Sequence, residues 1–89
     1  MKVENMKNGN GNIVKNQFII SGDLGTQWFQ SYDSTIVAKH SEDCIFLDKN
    51  YWNYSRTTSK YRNIFLNETT KETEAKIKNG TYSLIDLNR

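Results

Sequence analysis

The chain has 89 residues, of which 36% are hydrophobic and 12% aromatic, and this allows one domain with one small core. Its formal net charge of +2 excludes both a histone-like polycation and an acidic mimic of nucleic acid. Its only cysteine, Cys44, excludes an internal disulfide, and no stretch approaches the ~20 apolar residues of a membrane span. Residues 1–16 contain no signal-peptide core, so we expect a protein of the host-cell cytoplasm.

Residues 1–12 are polar and rich in glycine and asparagine. Such a segment buries almost no apolar surface, so it is predicted to be a mobile tail. The alternative is a segment that becomes ordered on a partner. Residues 13–89 are then expected to form a single domain.

Four short segments of strand-like composition follow, separated by turn residues. They are residues 17–21, 27–32, 35–39 and 44–47. Residues 33–34 are expected to form a bulge or a bend. About four polar residues separate the last two segments, which favours a β-hairpin.

After residue 50 the sequence takes on the period of a helix. The residues predicted to share one helix face are Thr57, Tyr61, Ile64 and Phe65. Ser55, Thr57 and Thr58 are candidate N-caps, because their hydroxyls can accept the free amides of the first turn. Asn67 is expected to end this helix.

A second helix is predicted directly afterwards. Thr69 and Glu72 have the spacing of a capping box, and the pair Asn79 and Gly80 supplies a stop signal. Residues 82–87 are predicted to form a last strand. The fold class is therefore α+β: a small antiparallel sheet followed by two short helices and a final strand.

His40 and Cys44 are the residues that would support an enzyme, since a hairpin could bring them side by side. Cys44 opens an apolar strand, however, where a small core residue is the simpler interpretation. One histidine and one cysteine are too few for a zinc site, and residues 22–25 lack the pattern of a phosphate loop. We therefore expect a protein without catalytic activity, metal or cofactor.

The segment YWNYSRTTSKYRNIFL, residues 51–66, combines aromatic rings with three cations. Hydroxyls, free amides at a helix start and a nearby guanidinium suit an anion, and exposed rings add stacking surfaces. The candidate binding residues are Arg56, Lys60, Arg62, Trp52 and Tyr54. Three interpretations remain open at this point: core packing and helix solvation, a surface for a protein, and a surface for phosphate or nucleic acid.

Three segments, SYDSTIVAKH, YWNYSRTTSKYRNIFL and IKNGTYSLIDLN, resemble a group of small uncharacterised proteins of phages and low-GC bacteria. The residues that carry this resemblance are Ser31, Tyr32, Thr35, Tyr54, Ser55, Thr57, Thr58, Phe65 and Leu66. It spans residues 31–88 and implies a phage or mobile-element context. Small proteins of that context often bind a host protein stoichiometrically, as inhibitors of CRISPR nucleases do.

The resemblance and the basic-aromatic segment together predict a non-enzymatic, phage-type binding protein. Its expected action is anti-CRISPR-like inhibition of a host defence protein, for example an effector that handles nucleic acid. The alternative is an accessory protein that binds DNA or RNA directly through the same residues. No membrane partner is expected.

Overall fold

Six strands form one sheet whose order follows the chain. They are β1 (Lys2–Lys7), β2 (Ile13–Ser21), β3 (Gln27–Ser31), β4 (Ser34–Ser41), β5 (Cys44–Asp48) and β6 (Tyr82–Ile85). Two helices, α1 (Arg56–Leu66) and α2 (Thr70–Lys78), lie between β5 and β6, and a 3-10 turn at Asp23–Gly25 joins β2 to β3. This is a computed structural model that describes residues 1–88.

The predicted α+β class is confirmed, with one refinement. Strands β1 to β5 pair antiparallel, whereas β6 pairs with β5 in parallel. A parallel pair needs a long crossover, and here the two helices provide it. The helices therefore connect two neighbouring strands of the same sheet, and the sheet is mixed.

The N-terminal segment differs from its prediction. Instead of a mobile tail over residues 1–12, strand β1 pairs with β2 from Lys2 opposite Ser21 to Lys7 opposite Ile13, and Met6 is buried. The turn between the two strands is closed by the Asn8 side chain, which accepts two backbone amides. Main-chain hydrogen bonds to β2 hold this segment in place, and its polar composition gives no indication of them.

Helix α1 ends where the sequence predicts, and it begins after Ser55, one of the three candidate N-caps. The Ser55 hydroxyl caps it by accepting the Thr58 amide, and Asn67 ends it in a left-handed conformation with φ of 55°. The predicted shared face is confirmed for Tyr61, which is buried, and for Phe65, which packs against the core, but it is wrong for Thr57 and Ile64. The buried residues are Thr58, Tyr61 and Arg62, whereas Thr57 and Ile64 are exposed.

Helix α2 has the predicted capping box, formed reciprocally by Thr69 and Glu72. Its contact with the rest of the protein is narrow, as expected for a helix with few apolar residues. Thr73 is buried and Ile77 packs against the core, but Ala75 is exposed.

The core fills the space between the helices and one face of the sheet. It consists of Met6, Phe29, Ile36, Val37, Ile45, Leu47, Tyr61 and Tyr82. The Phe29 and Phe65 rings stack at 5.9 Å between centroids. A register shift between β3 and β4 lets the consecutive residues Ile36 and Val37 both be buried.

The opposite face of the sheet, called the open face below, carries no helix among the described residues. Trp28, Ala38 and Phe46 lie in register there, alternating with the core residues of their strands. None of the helices in residues 1–88 is long and apolar enough to cross a membrane.

Candidate functional site

The segment that leads from β5 into α1 is organised by Asp48. Its buried carboxylate accepts the amides of Asn50 at 3.0 Å and Tyr51 at 2.9 Å through one oxygen, and that of Leu87 at 2.8 Å through the other. The Trp52 amide donates to the Asp48 carbonyl at 3.0 Å. This segment is therefore a tightly capped turn with a defined shape.

Arg62 holds the same segment from the other side. Its Nη1 donates to the Trp52 carbonyl at 2.5 Å and to Asn53 Oδ1 at 3.1 Å. Its Nη2 donates to Asn63 Oδ1 at 2.8 Å and to Thr70 Oγ1 at 2.9 Å. The guanidinium carbon lies 5.2 Å from the centroid of the Trp52 ring. A planar fork of donors thus connects the turn, α1 and the start of α2.

Arg62 is consequently not a surface residue, and its prediction as a contact residue is corrected. It is fully buried, and within residues 1–88 no carboxylate forms an ion pair with it. Burial lowers the pKa of Arg62, and the charges of Glu68 and Glu74 act in the opposite direction. Trp52 is half-buried and packs against the core. Sequence reasoning missed this because an arginine between a tyrosine and an asparagine, two residues after a lysine, resembles a solvated position.

The exposed residues of the segment 51–66 include two tyrosines and two cations. Tyr51 and Tyr54 are 38% and 46% exposed, and their rings meet edge to face at 5.3 Å and 77°. Arg56 and Lys60 are exposed, and their spacing of four residues places them on the same side of α1. We call these four residues the tyrosine–cation surface.

The start of α1 is less suited to an anion than the sequence indicates. The Ser55 hydroxyl already accepts the Thr58 amide at 3.1 Å, and the Ser59 amide donates to the Ser55 carbonyl. The Thr58 hydroxyl is buried in a bond to Ser31 at 2.8 Å. The hydroxyls therefore hold the helix to β3, and Arg56 is the group that remains available for an anion.

His40 and Cys44 do not form a hydrogen bond within the described chain. The His40 ring lies edge-on to Phe46 at 5.7 Å, at a register shift between β4 and β5. Cys44 is half-buried at the start of β5. In residues 1–88 no group of three histidine, cysteine or acidic side chains could hold a metal ion.

A second polar cluster, around Glu68, joins α1, α2 and β6. Glu68 Oε1 accepts from Lys76 Nζ and from the Tyr82 hydroxyl, each at 2.7 Å, and Oε2 accepts from Thr73. Burial raises the pKa of Glu68, but these bonds and the Lys76 charge outweigh it and hold the pKa below its ordinary value. Burial and the bond to Glu68 raise the pKa of Tyr82 to about 12.

Two contributors to the site are absent from the sequence prediction. Tyr51 lies in the quoted segment but is not among the candidate binding residues, and neither is Asp48. An aspartate at the end of a strand, followed by polar residues, is typical of a side chain that caps the next amides. The sequence thus places Asp48 in a turn for a backbone reason, but it does not connect Asp48 with the binding residues.

Comparison with known proteins gives a family for this chain. No curated protein and no solved structure matches it. A family model described as a family of unknown function (DUF8033) matches residues 1–80, which include every element from β1 to α2. Because the match covers most of the sequence, the chain belongs to the DUF8033 family.

Proposed function

We propose that this protein is a non-enzymatic binding protein of phage type. It acts in the host cytoplasm by stoichiometric binding to a defence protein, which it inhibits in the manner of an anti-CRISPR protein. The observation that supports this proposal is the exposed Tyr51–Tyr54 pair on a turn held by Asp48 and Arg62.

A rigid tyrosine pair is well suited to a protein partner. Tyrosine offers a large contact area and a hydroxyl at a small cost in side-chain entropy, and it is common among residues that dominate binding energy. A turn that is already ordered loses less freedom on association than a mobile loop does. Arg56 and Lys60 beside the pair complement a partner surface that carries carboxylates.

Direct binding of DNA or RNA is the second candidate, supported by the same exposed rings. Arg62 is buried, so two of the three predicted cations remain available. Two phosphate contacts correspond to a salt dependence with a slope of only about −2 on logarithmic axes. The protein partner is therefore the favoured proposal.

Affinity purification from the natural host, with quantitative mass spectrometry, tests the favoured proposal. Wild-type protein is compared with Tyr54→Ala and Arg56→Glu, and with Lys78→Glu as a control of equal charge change at the end of α2. We expect the wild type and the control to retain one host protein that both surface variants lose. That protein's purified activity should fall to its minimum at an equimolar ratio.

Equal recovery of every bound protein by all four forms would contradict this proposal. For the second candidate, binding to single-stranded DNA and RNA is titrated with salt. Absence of binding at low salt removes that candidate, whereas binding that Arg56→Glu abolishes and Lys78→Glu retains would favour it.

A further inference from the structure

The open face of the sheet bears a continuous row of mostly apolar side chains. In register from β1 to β6, the row is Val3, Ile20, Trp28, Ala38, Phe46 and Ser83. Phe18 lies beside the row, in register with Asn5 and Gln30. Trp28, Phe46, Ile20 and Phe18 are half-buried, yet they stand outside the core that the helices cover. In an antiparallel sheet with one solvated face, each strand normally places polar residues on that face and apolar residues on the other.

The open face carries no free charge along this row or along the one beside it. The second row consists of Asn5, Phe18, Gln30 and Thr35, which are neutral, and then of Asp48 opposite Ile85, where the carboxylate is buried and occupied by three backbone amides. The Trp28 ring lies along the sheet over Gly22, where an added Cβ would be 2.8 Å from a ring atom. The face therefore presents no free charge, and such a face neither attracts a charged partner nor repels its own copy.

We propose that the open face docks on the open face of a second copy of this chain, forming a two-fold symmetric sandwich. This inference is independent of the proposed function, since it concerns the side of the sheet opposite the helices. Two sheets pack in this way at about 10 Å, with side chains of the facing layers interdigitating.

The order of side-chain sizes in the row suits a two-fold axis. We place the two-fold axis parallel to the strands, above the space between β3 and β4. Strands β1, β2 and β3 of one copy then face β6, β5 and β4 of the other. Trp28 then faces Ala38, and Val3 faces Ser83 of the second copy. Large residues meet small ones at the centre and at the ends, which is the arrangement that fills a packed layer.

The area of the face indicates the strength of this dimer. Six strands about 4.8 Å apart and roughly five to six residues long present roughly 450 Å² per copy, or about 900 Å² in total. Stable interfaces exceed ~1,000 Å² in total, so we expect a dimer that dissociates on dilution. Sedimentation across a concentration series is the suitable measurement.

Charge substitutions at Val3 and Ser83 test the geometry directly. The two residues lie on opposite edges of the sheet, about 24 Å apart at five strand spacings, so they cannot pair within one copy. We expect Val3→Lys and Ser83→Glu each to raise the dimer dissociation constant at least about tenfold, because each buries an unpaired charge. The double variant should recover most of the wild-type affinity, because the introduced ammonium group of one copy then faces the introduced carboxylate of the other.

Ile64→Lys is the matched control, since Ile64 is 51% exposed on the helix side of the molecule. It should leave the dissociation constant unchanged. A wild-type protein that stays monomeric at millimolar concentration would overturn the proposal, as would equal weakening by Ile64→Lys or a double variant no better than the single ones. In those cases the face is free or serves a different partner.

Discussion

The two faces of the sheet distribute polar and apolar side chains in an unexpected way. The face under the helices buries Gln17, Ser31, Thr58, Arg62 and Thr73 together with its apolar core. The open face has no helix over it in the described chain, yet aromatic and aliphatic side chains dominate it. Four of the five polar side chains under the helices are hydrogen-bonded, whereas the buried amide of Gln17 has no partner among the described residues, so polar connections supplement the small apolar area that a chain of this length can bury.

The buried polar groups on the helix side explain how two helices with few apolar residues stay on the sheet. Directional contacts hold them: Arg62 joins α1 to the preceding turn, and Glu68 joins α2 to β6. Polar connections inside a protein are strong when all partners are satisfied and costly when one is removed. Substitutions of buried residues on the helix side should therefore lower the free energy of unfolding at polar and apolar positions alike.

The largest expected effect on stability is a difference between the two sheet faces, measured at neighbouring residues of strand β5. Leu47 is fully buried under the helices, and its neighbour Phe46 lies on the open face. Leu47→Ala should lower the free energy of unfolding by about 3.5 kcal/mol through loss of buried area and formation of a cavity. Phe46→Ala should cost less, about 2 kcal/mol in the monomer, since its ring is only partly buried. Urea denaturation measures both, and equal losses would remove the distinction between the faces.

The next effect compares the two arginines of α1. Arg62→Met keeps much of the stem but removes the Arg62 donor to the Trp52 carbonyl and one of the two donors to the Thr70 hydroxyl, and should cost about 3 kcal/mol. Arg56→Met, at an exposed position of the same helix, should change stability by less than about 0.5 kcal/mol. Thermal and urea unfolding followed by circular dichroism provide the measurement. If Arg62→Met lowers the free energy of unfolding no more than Arg56→Met does, the hydrogen bonds of Arg62 do not stabilise the turn.

The Glu68 cluster predicts a specific pH dependence. The pKa of Glu68 is lower in the folded protein than in the unfolded chain, so its contribution is present above its ordinary value near 4.5. That contribution disappears as the pH falls through the lowered folded pKa. Glu68→Gln should cost about 2 kcal/mol at neutral pH and should flatten the stability profile on the acid side.

The same cluster acts on the alkaline side through Tyr82, whose pKa is raised to about 12. A raised pKa contributes stability below the ordinary value near 10, and this is lost as the pH rises through about 12. Tyr82→Phe should remove that alkaline loss and should also reduce the acid limb in part, because the Tyr82 hydroxyl is one of the donors that lower the pKa of Glu68. Unfolding midpoints measured from acid pH to the onset of tyrosine ionisation test both variants, and an unchanged acid limb in Glu68→Gln would contradict the role of Glu68.

The smallest expected effect concerns the hydrogen bond between Ser31 and Thr58, which holds α1 to β3. Thr58→Val should cost about 1.5 kcal/mol, because it leaves the buried Ser31 hydroxyl without this partner. Adding Ser31→Ala should recover about 1 kcal/mol, since the buried Ser31 hydroxyl is then absent, whereas the Ser55 hydroxyl, which donates to Thr58 Oγ1 at 2.9 Å, loses that acceptor in both variants. A double-mutant cycle by urea denaturation measures the coupling, and strict additivity would mean that the bond contributes nothing.

Local signals in the sequence predicted several elements well. The cap at Ser55, the left-handed end at Asn67 and the capping box of Thr69 with Glu72 depend on neighbouring residues only, and all three are present. The hairpin of β4 and β5 was also predicted correctly, from two apolar runs and a short polar connection.

Distant contacts account for the features that were predicted wrongly. Strand β1 is polar, and its pairing is supplied by β2, so its own residues do not indicate it. The orientation of α1 was misjudged because Arg62 is buried by oxygens from Trp52, Asn53 and Thr70, which meet only in the folded chain.

The sequence by itself determined where the helices begin and end and which segments are strands after residue 16, because caps, turns and short apolar runs act between neighbours. Only the tertiary structure decided which side of α1 faces inward, which rings and cations remain at the surface, and that one sheet face of the described chain stays without a helix. Those outcomes depend on residues that are far apart in the chain and meet only in the folded protein, at the Arg62 guanidinium or in the sheet. No local pattern in the sequence encodes such a meeting.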